Sequence, residues 1–414
     1  MKQEEAAPSG LPVETGYRIL RVIALVLLLS LLAFKARRLV QLQPAPVSDF
    51  ASYWAAARLH LSGKNPYSPS LLWQLQKSIG AKELLPFLNP PWALPLLMPF
   101  GLLDYPASRV VFLLLSLSAI LLCADRLWKF YGGTRRLRWV PPLVVITFFP
   151  VLLALKLGQM GALILIGATG FLYFANRGQW IAAGAATFLL SLKPHTVYLF
   201  WPAAALWALR KRQFGFLLGA VATIAVGSLV ALLLDPSIFE NFFRFARTLD
   251  EAVYRHSNPT IGALLRVFFG LEKQMMQFVS MVLGCTWLGL HWLRRREEWD
   301  WKQQLPSLML VSLLTSSYVW VHDQVLLLVP VLQAVLILQT SRLRRVVGFG
   351  LSYLLINGFA LAQNLLEFGD LWFVWTMAAW VSLYWAVLRE KEIGSRTGVP
   401  FSGTTQQTVS RNPP

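Results

Sequence analysis

Apolar residues run along this chain in long blocks and do not alternate with polar ones. Blocks near residues 17–40, 108–127, 139–155, 159–176, 179–192, 195–209, 214–234, 274–293, 305–321, 323–340, 345–362 and 371–388 are almost wholly hydrophobic. A helix needs roughly 20 such residues to cross a bilayer, and several of these blocks are short enough to tilt, break or merge. The pattern predicts an all-α polytopic membrane protein with about twelve transmembrane helices. The first block contains VIALVLLLSLLAF (22–34), which has the length of a signal-peptide core. KARRLV follows it where a small-x-small cleavage site would stand, so it reads as a retained helix.

Two stretches depart from the pattern. VSDFASYWAAARLHLSGKNPYSPS (47–70) predicts an amphipathic helix from Ser48 or Asp49 to about His60, ended by the Gly and Pro of GKNPY. NPPWALPLLMPFGLL (89–103) is apolar but holds Pro90, Pro91, Pro95 and Pro99, which a regular spanning helix does not accept. It suits a re-entrant or interfacial piece packed against the bundle, or a hydrophobic loop.

Charge then fixes a topology. Basic residues gather in KFYGGTRRLR (129–138), RKR (210–212), RRREEWDWK (294–302), RLRR (342–345) and REKEIGSR (389–396). An even number of blocks separates each successive pair, so all five fall on one side, the cytoplasm by the positive-inside rule, with both termini. The outer face then receives a long first loop (41–107), LKLGQ near 155–159, SLKPH at 191–195, a second long loop near 235–272, VWVHD at 319–323 and a short loop near 363–370. KARR at 35–38 dissents, but long translocated loops tolerate positive charge. The expected location is the plasma membrane, multi-pass.

Composition agrees: 56% of residues are hydrophobic and 14% charged, against about 25% charged in soluble domains. The net charge of +18 lies mostly in the short loops, so it calls for no nucleic-acid partner. Cys123 and Cys285 sit in apolar blocks without ligand spacing and read as free buried thiols. The segments 1–16 and 390–414 read as disordered tails around a membrane domain spanning 17–389.

Candidate chemistry collects on the outer face. Asp49 stands where an acid is favoured as a helix cap; the same place suits a general base kept ionised by the helix dipole. Gln159 either caps a helix or tops a cavity. Lys193, beside Pro194 and His195, either snorkels to the interface or holds a phosphate, since charge near membrane depth is costly. Tyr318, Trp320, His322 and Asp323 form an aromatic belt with a cap, or a His/Asp pair beside a sugar-stacking patch. Lys156, His256 and Asn258 share the outer face, while His60 and His291 read as structural. No Walker loop, dinucleotide fingerprint, HExxH or nucleophile elbow occurs. Asp49, Glu83 and Asp104 are too far apart in sequence for a DxD pair, so neither a cofactor nor an obligatory metal is expected.

DFASYWAAARLHLSGKNPYS, then NPPWALPLLMPFGLL, then LKLGQMGALILIGATGFLYFANRGQWIAAGAATFLLSLKPH resembles, in that order, glycosyltransferase family 87. The later SSYVWVHDQVLLLVP is similar to a paired-helix segment of the same family, and the likeness covers roughly residues 45–335. The resemblance implies a GT-C-type bundle that moves a hexose, mannose-like, from a polyprenyl-phosphate donor to a lipid or glycan hydroxyl. It implies Asp49 as general base, with Lys193, His322, Lys156 and Gln159 at the donor phosphate. Tyr53, Trp54, His195, Tyr318 and Asp323 would then meet substrate, and the transfer would invert. A transporter or lipid-linked-sugar flippase is the alternative for a chain with so many spans, and a non-catalytic assembly subunit is a third; the lack of matching halves speaks against the transporter.

Overall fold

The computed structural model describes residues 47–248, 258–270, 272–339, 341 and 343–396, with side chains through Arg389. The first expected span, the KARR cluster, the 1–16 tail and His256 lie outside the described residues. From Val47 on the chain forms one compact unit, and among the described residues it contains helices and no strand.

The helices, in chain order, are α1 (Phe50–Leu61), α2 (Pro69–Ser78), α3 (Leu94–Gly101), α4 (Tyr105–Phe130), α5 (Val140–Thr147), α6 (Phe149–Leu157), α7 (Gly161–Ala175) and α8 (Trp180–Ala186). Then follow α9 (Phe200–Arg210), α10 (Phe214–Leu234), α11 (Ile238–Thr248), α12 (Ile261–Phe269), α13 (Met276–Arg295) and α14 (Trp301–Thr315). The last three are α15 (Leu328–Leu338), α16 (Leu343–Leu365) and α17 (Val374–Arg396). Short 3-10 turns at Thr187–Leu192, Pro194–Val197 and Val321–Leu327 extend or link them.

Among the described residues six helical segments are long and apolar enough to cross a membrane, or seven if Arg135–Thr147 and Phe149–Leu157, bent by 56°, make one broken span. The other expected spans among the described residues are shorter; α7 has 15 residues and covers about 22 Å at 1.5 Å per residue. Hydropathy alone does not separate a lipid-facing span from an apolar helix inside the bundle. Here Val321–Leu338 is buried over most of its length, whereas α10 exposes Val221, Leu229 and Leu233.

The break between α5 and α6 has a local cause. Pro150 has no amide to give the preceding turn and its ring crowds that turn's carbonyl, so Phe148 turns extended. The freed amide of Phe149 donates to Asn357 Oδ1 at 2.7 Å. Tight packing holds α8 against α10: a Cβ on Gly184 would strike the Phe216 carbonyl, and one on Gly219 the Ile181 carbonyl. Such close backbone approach is the usual role of small residues between membrane helices.

The segment 47–103 packs as the sequence suggests in outline but not in character. The α1 helix is buried on nearly every face, with Phe50, Ala51, Ala55, Ala56 and Ala57 fully covered. It is therefore not amphipathic: α3, carrying the four-proline segment's apolar residues, covers the side expected to face water. Cys123 is buried and free as expected, but Cys285 is exposed on the outside of α13. The last helix runs to Arg396, past the expected boundary at residue 389.

The chain breaks that matter lie at one end: the start of α1, the turn Gly158–Met160, Lys193 between two 3-10 turns, and the start of Val321–Leu327. Away from these breaks two of the basic loops meet, where Arg210 reaches Glu297 at 2.6 Å, and Arg138 reaches Asp125 near the end of α4 at 3.2 Å.

Candidate active site

Asp49 occupies the N-cap position of α1 but makes no side-chain cap bond; its backbone is helical, with φ −52° and ψ −25°. The carboxylate is thus free to turn elsewhere, and Oδ2 accepts a hydrogen bond from Gln159 Nε2 at 2.6 Å. The partner is brought there by Gly158, which ends α6 in the left-handed conformation at φ +69°. A Cβ on Gly158 would sit 2.6 Å from Phe50 Cβ, so the turn closes on α1 only because that position is bare.

Gln159 joins two sides of the site. Its Oε1 accepts from Tyr53 Oη at 2.8 Å and from Lys193 Nζ at 2.9 Å. Two donors on Oε1 fix the amide orientation: a flipped side chain would aim its NH2 at an ammonium and its oxygen at a carboxylate. Lys193 Nζ also donates to Asp323 Oδ1 at 2.8 Å, with the two side chains 11% and 1% exposed. The lysine is therefore in a buried ion pair and does not snorkel. Asp323 accepts the Trp320 backbone N–H on Oδ2 at 3.0 Å, so it caps its turn as well as pairing with Lys193.

The result is a continuous chain from Asp49 through Gln159 and Lys193 to Asp323, drawn from four separate segments. His322 lies beside it, with Nε2 3.7 Å from Asp323 Oδ1 and no hydrogen-bond partner. The imidazole of His195 has a buried Nε2 with no partner and meets Tyr318 edge-on at 5.6 Å. Tyr318 in turn meets Trp320 edge-on, and Trp320 lies parallel to the His322 ring at 6.4 Å.

Burial raises the pKa of Asp49 above the ordinary carboxylate value, and the Gln159 hydrogen bond and the Lys193 charge oppose that rise; Asp323 and Glu83 add to it. A base in this position is partly desolvated and yet has a fixed donor for its ionised form. Burial, followed by the nearby Asp49 charge, pushes the Tyr53 phenol well up, so Tyr53 remains a donor to Gln159.

Two expected site residues stand apart from this network. The Lys156 side chain is exposed, and only its carbonyl is engaged, by Arg109 at 3.2 Å. Trp54 points the other way: its indole N–H donates to Leu103 O at 3.0 Å and Arg58 lies over its ring. Residues that the sequence reading passed over support the loop carrying Lys193. Asn89 Nδ2 donates to Leu192 O at 3.0 Å, Trp92 Nε1 to Ser191 Oγ at 3.0 Å, and Tyr67 Oη to Asn89 O at 2.8 Å. Their signal was present in NPPW, where one amide side chain interrupts an apolar segment. Among the described residues no three His, Cys, Asp or Glu side chains group as a metal site.

Residues 87–317 match glycosyltransferase family 87, more than half of the 414-residue chain. That region contains Asn89, Gln159, Lys193 and His195 and stops short of Asp49, Tyr318, His322 and Asp323. Two alpha-(1->3)-arabinofuranosyltransferases of Mycobacterium tuberculosis, from strains CDC 1551 / Oshkosh and ATCC 25618 / H37Rv, are each 29% identical over 219 residues. The matched stretch is 51% of this chain and 48% of theirs, so the chain spans about half the length of these curated relatives. No solved structure matches the chain. With that family match over helices that bear half of the buried network, the chain belongs to glycosyltransferase family 87.

Proposed function

We propose that this glycosyltransferase takes a sugar from a polyprenyl-phosphate donor and places it on an acceptor hydroxyl at the outer face of the plasma membrane, both termini being cytoplasmic. Asp49 removes the acceptor proton while the acceptor oxygen bonds to the anomeric carbon. The bond from that carbon to the phosphate oxygen breaks on the opposite side, the polyprenyl phosphate leaves as the anion, and the sugar's configuration inverts. Lys193 offsets the charge that grows on the departing phosphate. Its ammonium has three donors, of which Gln159 and Asp323 take two, leaving one for a phosphate oxygen. His322, with an unpartnered Nε2 beside the same pair, adds a further donor when protonated or in the matching tautomer.

The observation that carries this reading is the amide bridge itself. It sets a carboxylate and an ammonium on either side of Gln159, each one hydrogen bond away. Acceptor deprotonation and leaving-group stabilisation are the two needs of a direct glycosyl displacement, and they fall to groups of opposite charge held a short distance apart.

The resemblance favours a mannose-like hexose as the transferred group. The relatives' names supply a second reading, an arabinofuranosyl group, which the same machinery would transfer. Purified protein in liposomes, given polyprenyl-phosphate mannose and polyprenyl-phosphate arabinofuranose with a lipid-glycan acceptor extract, separates the two by labelled product. Asp49→Asn is expected to lower transfer by about 10²–10⁴-fold, the usual worth of a positioned base, with folding unchanged. Transfer at the wild-type rate by that variant would remove Asp49 from the mechanism.

A further inference from the structure

The backbone that carries Lys193 is held from outside its own segment. Lys193 stands between two 3-10 turns with φ −137° and ψ 71°, outside any helix. No regular ladder fixes it there, and its side chain is a flexible four-carbon stem. Leu192 O, in the peptide that enters Lys193, accepts Asn89 Nδ2 at 3.0 Å. Lys193 O, in the peptide that leaves it, accepts the Thr196 N–H at 3.1 Å and Thr196 Oγ1 at 2.8 Å. Both flanking peptides are thus pinned, one by its own turn and one by a side chain 103 positions from Leu192.

Asn89 is itself firmly mounted. Pro90 disfavours helical backbone at the residue before it, and Tyr67 Oη donates to Asn89 O at 2.8 Å. Tyr67 is fully buried, and Phe87, together with Phe242 and Phe245 of α11, packs around its ring. Trp92 adds a second tie, from its indole N–H to Ser191 Oγ at 3.0 Å, and that hydroxyl donates onward to Phe188 O at 2.6 Å. Asn89 is 5% exposed. An amide buried so deeply in an apolar segment costs desolvation that a leucine of similar shape would not, so its bond to Leu192 has to be accounted for.

We propose that Asn89 is a positioning residue for Lys193, which sets the direction of the lysine's third N–H. The proposal rests on the phosphate-stabilising role given to Lys193 above and deepens it. An ammonium is tetrahedral, and Lys193 Nζ has two of its donors engaged by Gln159 Oε1 and Asp323 Oδ1. With those two directions taken, the third depends on where Cε stands, and so on the backbone from which the stem starts. Asn89 fixes that backbone through Leu192 O. Without it the stem can still reach Gln159 and Asp323 from a shifted start, but the free N–H then misses the departing oxygen.

A double-variant cycle on the full chain in liposomes tests this, with whichever of polyprenyl-phosphate mannose and polyprenyl-phosphate arabinofuranose the wild type turns over. Asn89→Leu keeps the shape and removes the donor. It is expected to lower kcat about tenfold, within the roughly 10²-fold that a misplacement of about 1 Å can cost, with donor KM changed less. Lys193→Met is expected to lower kcat about 10²-fold. Asn89→Leu added to Lys193→Met should then cost at most about twofold more, because the group it positions is gone. An unchanged kcat in Asn89→Leu overturns the proposal, as does the same tenfold loss in both backgrounds, the mark of a side chain that only stabilises the fold. Either result leaves the role of Lys193 standing. A wild-type kcat in Lys193→Met removes the role of the lysine and the positioning role with it. Trp92→Phe, which keeps a ring and loses only the N–H, is expected to cost about threefold. Its cycle with Lys193→Met decides by the same outcomes if Asn89→Leu does not fold.

Discussion

At the scale of single residues, the site depends on which atom of Gln159 faces which neighbour. The amide gives Asp49 its donor and takes donors from Tyr53 and Lys193, so on the proposed mechanism the side chain serves as a positioning residue between the base and the cation. Its effect on Asp49 has a sign. Burial favours the neutral acid and raises the pKa, while the Gln159 bond favours the anion and lowers it. The proposed role as base requires the ionised form, so activity is expected to be lost as pH falls through that pKa, with the acid limb of transfer above the ordinary carboxylate value. Gln159→Leu removes the opposing donor and is expected to move the limb to still higher pH. At the plateau it should lower kcat by roughly tenfold, about the worth of a hydrogen bond to a charged group, with KM changed less. A pH profile of kcat for the two proteins checks this; an unmoved limb would mean that the amide does not tune Asp49. Asp49 shows how far local pattern reaches. The helix starting there was legible from sequence, but the local rule would spend its carboxylate on capping. The competing donor lies 110 positions away, and no local pattern carries that information.

At the scale of elements, the site is assembled by interruptions in helices. The left-handed Gly158 lets α6 stop and α7 begin against α1, Lys193 falls where two 3-10 turns meet, and the Val321 turn presents His322 and Asp323. Gly158 and Gly178 share nearly the same backbone, at φ +69° and +68°, but only Gly158 has a neighbour where a Cβ would go. Alanine at either costs about 1 kcal/mol for the left-handed conformation. Gly158→Ala adds an overpacking cost of roughly 1–3 kcal/mol through Phe50. Thermal unfolding in detergent should therefore place Gly158→Ala below Gly178→Ala, and only Gly158→Ala should slow transfer, because Phe50 adjoins Asp49. Equal melting temperatures would show that the α1 contact is soft. The glycines, prolines and polar punctuation marked these breaks in the sequence. The burial of α1 was not marked, since its cover comes from α3, an apolar segment whose prolines conceal that it is a helix at all.

At the scale of the molecule, the chain shuttles between two ends that differ in chemistry. One end gathers the buried acid–amide–lysine chain. Elsewhere two basic loops are joined by Arg210 with Glu297, and Arg138 pairs with Asp125 of α4. The expected sorting of basic loops to one face rests on crossing parity, which tolerates errors in helix edges. Span number was less legible: a stretch such as α7 is apolar because protein surrounds it, and such a helix is free of the 20-residue rule for one that meets lipid alone. The proposed orientation, with the acid end outside, makes a direct labelling forecast in cells. In a Cys285→Ser background, with Cys123 left buried, a cysteine replacing the exposed Lys82 lies beside Glu83, whose charge reaches Asp49. A membrane-impermeant maleimide should modify it in intact cells. A cysteine replacing the exposed Arg177, after the far end of α7, should react only once the membrane is opened. The reverse pattern would turn the protein over and bring Asp49 to the cytoplasmic side, which a donor presented from the outer leaflet does not reach.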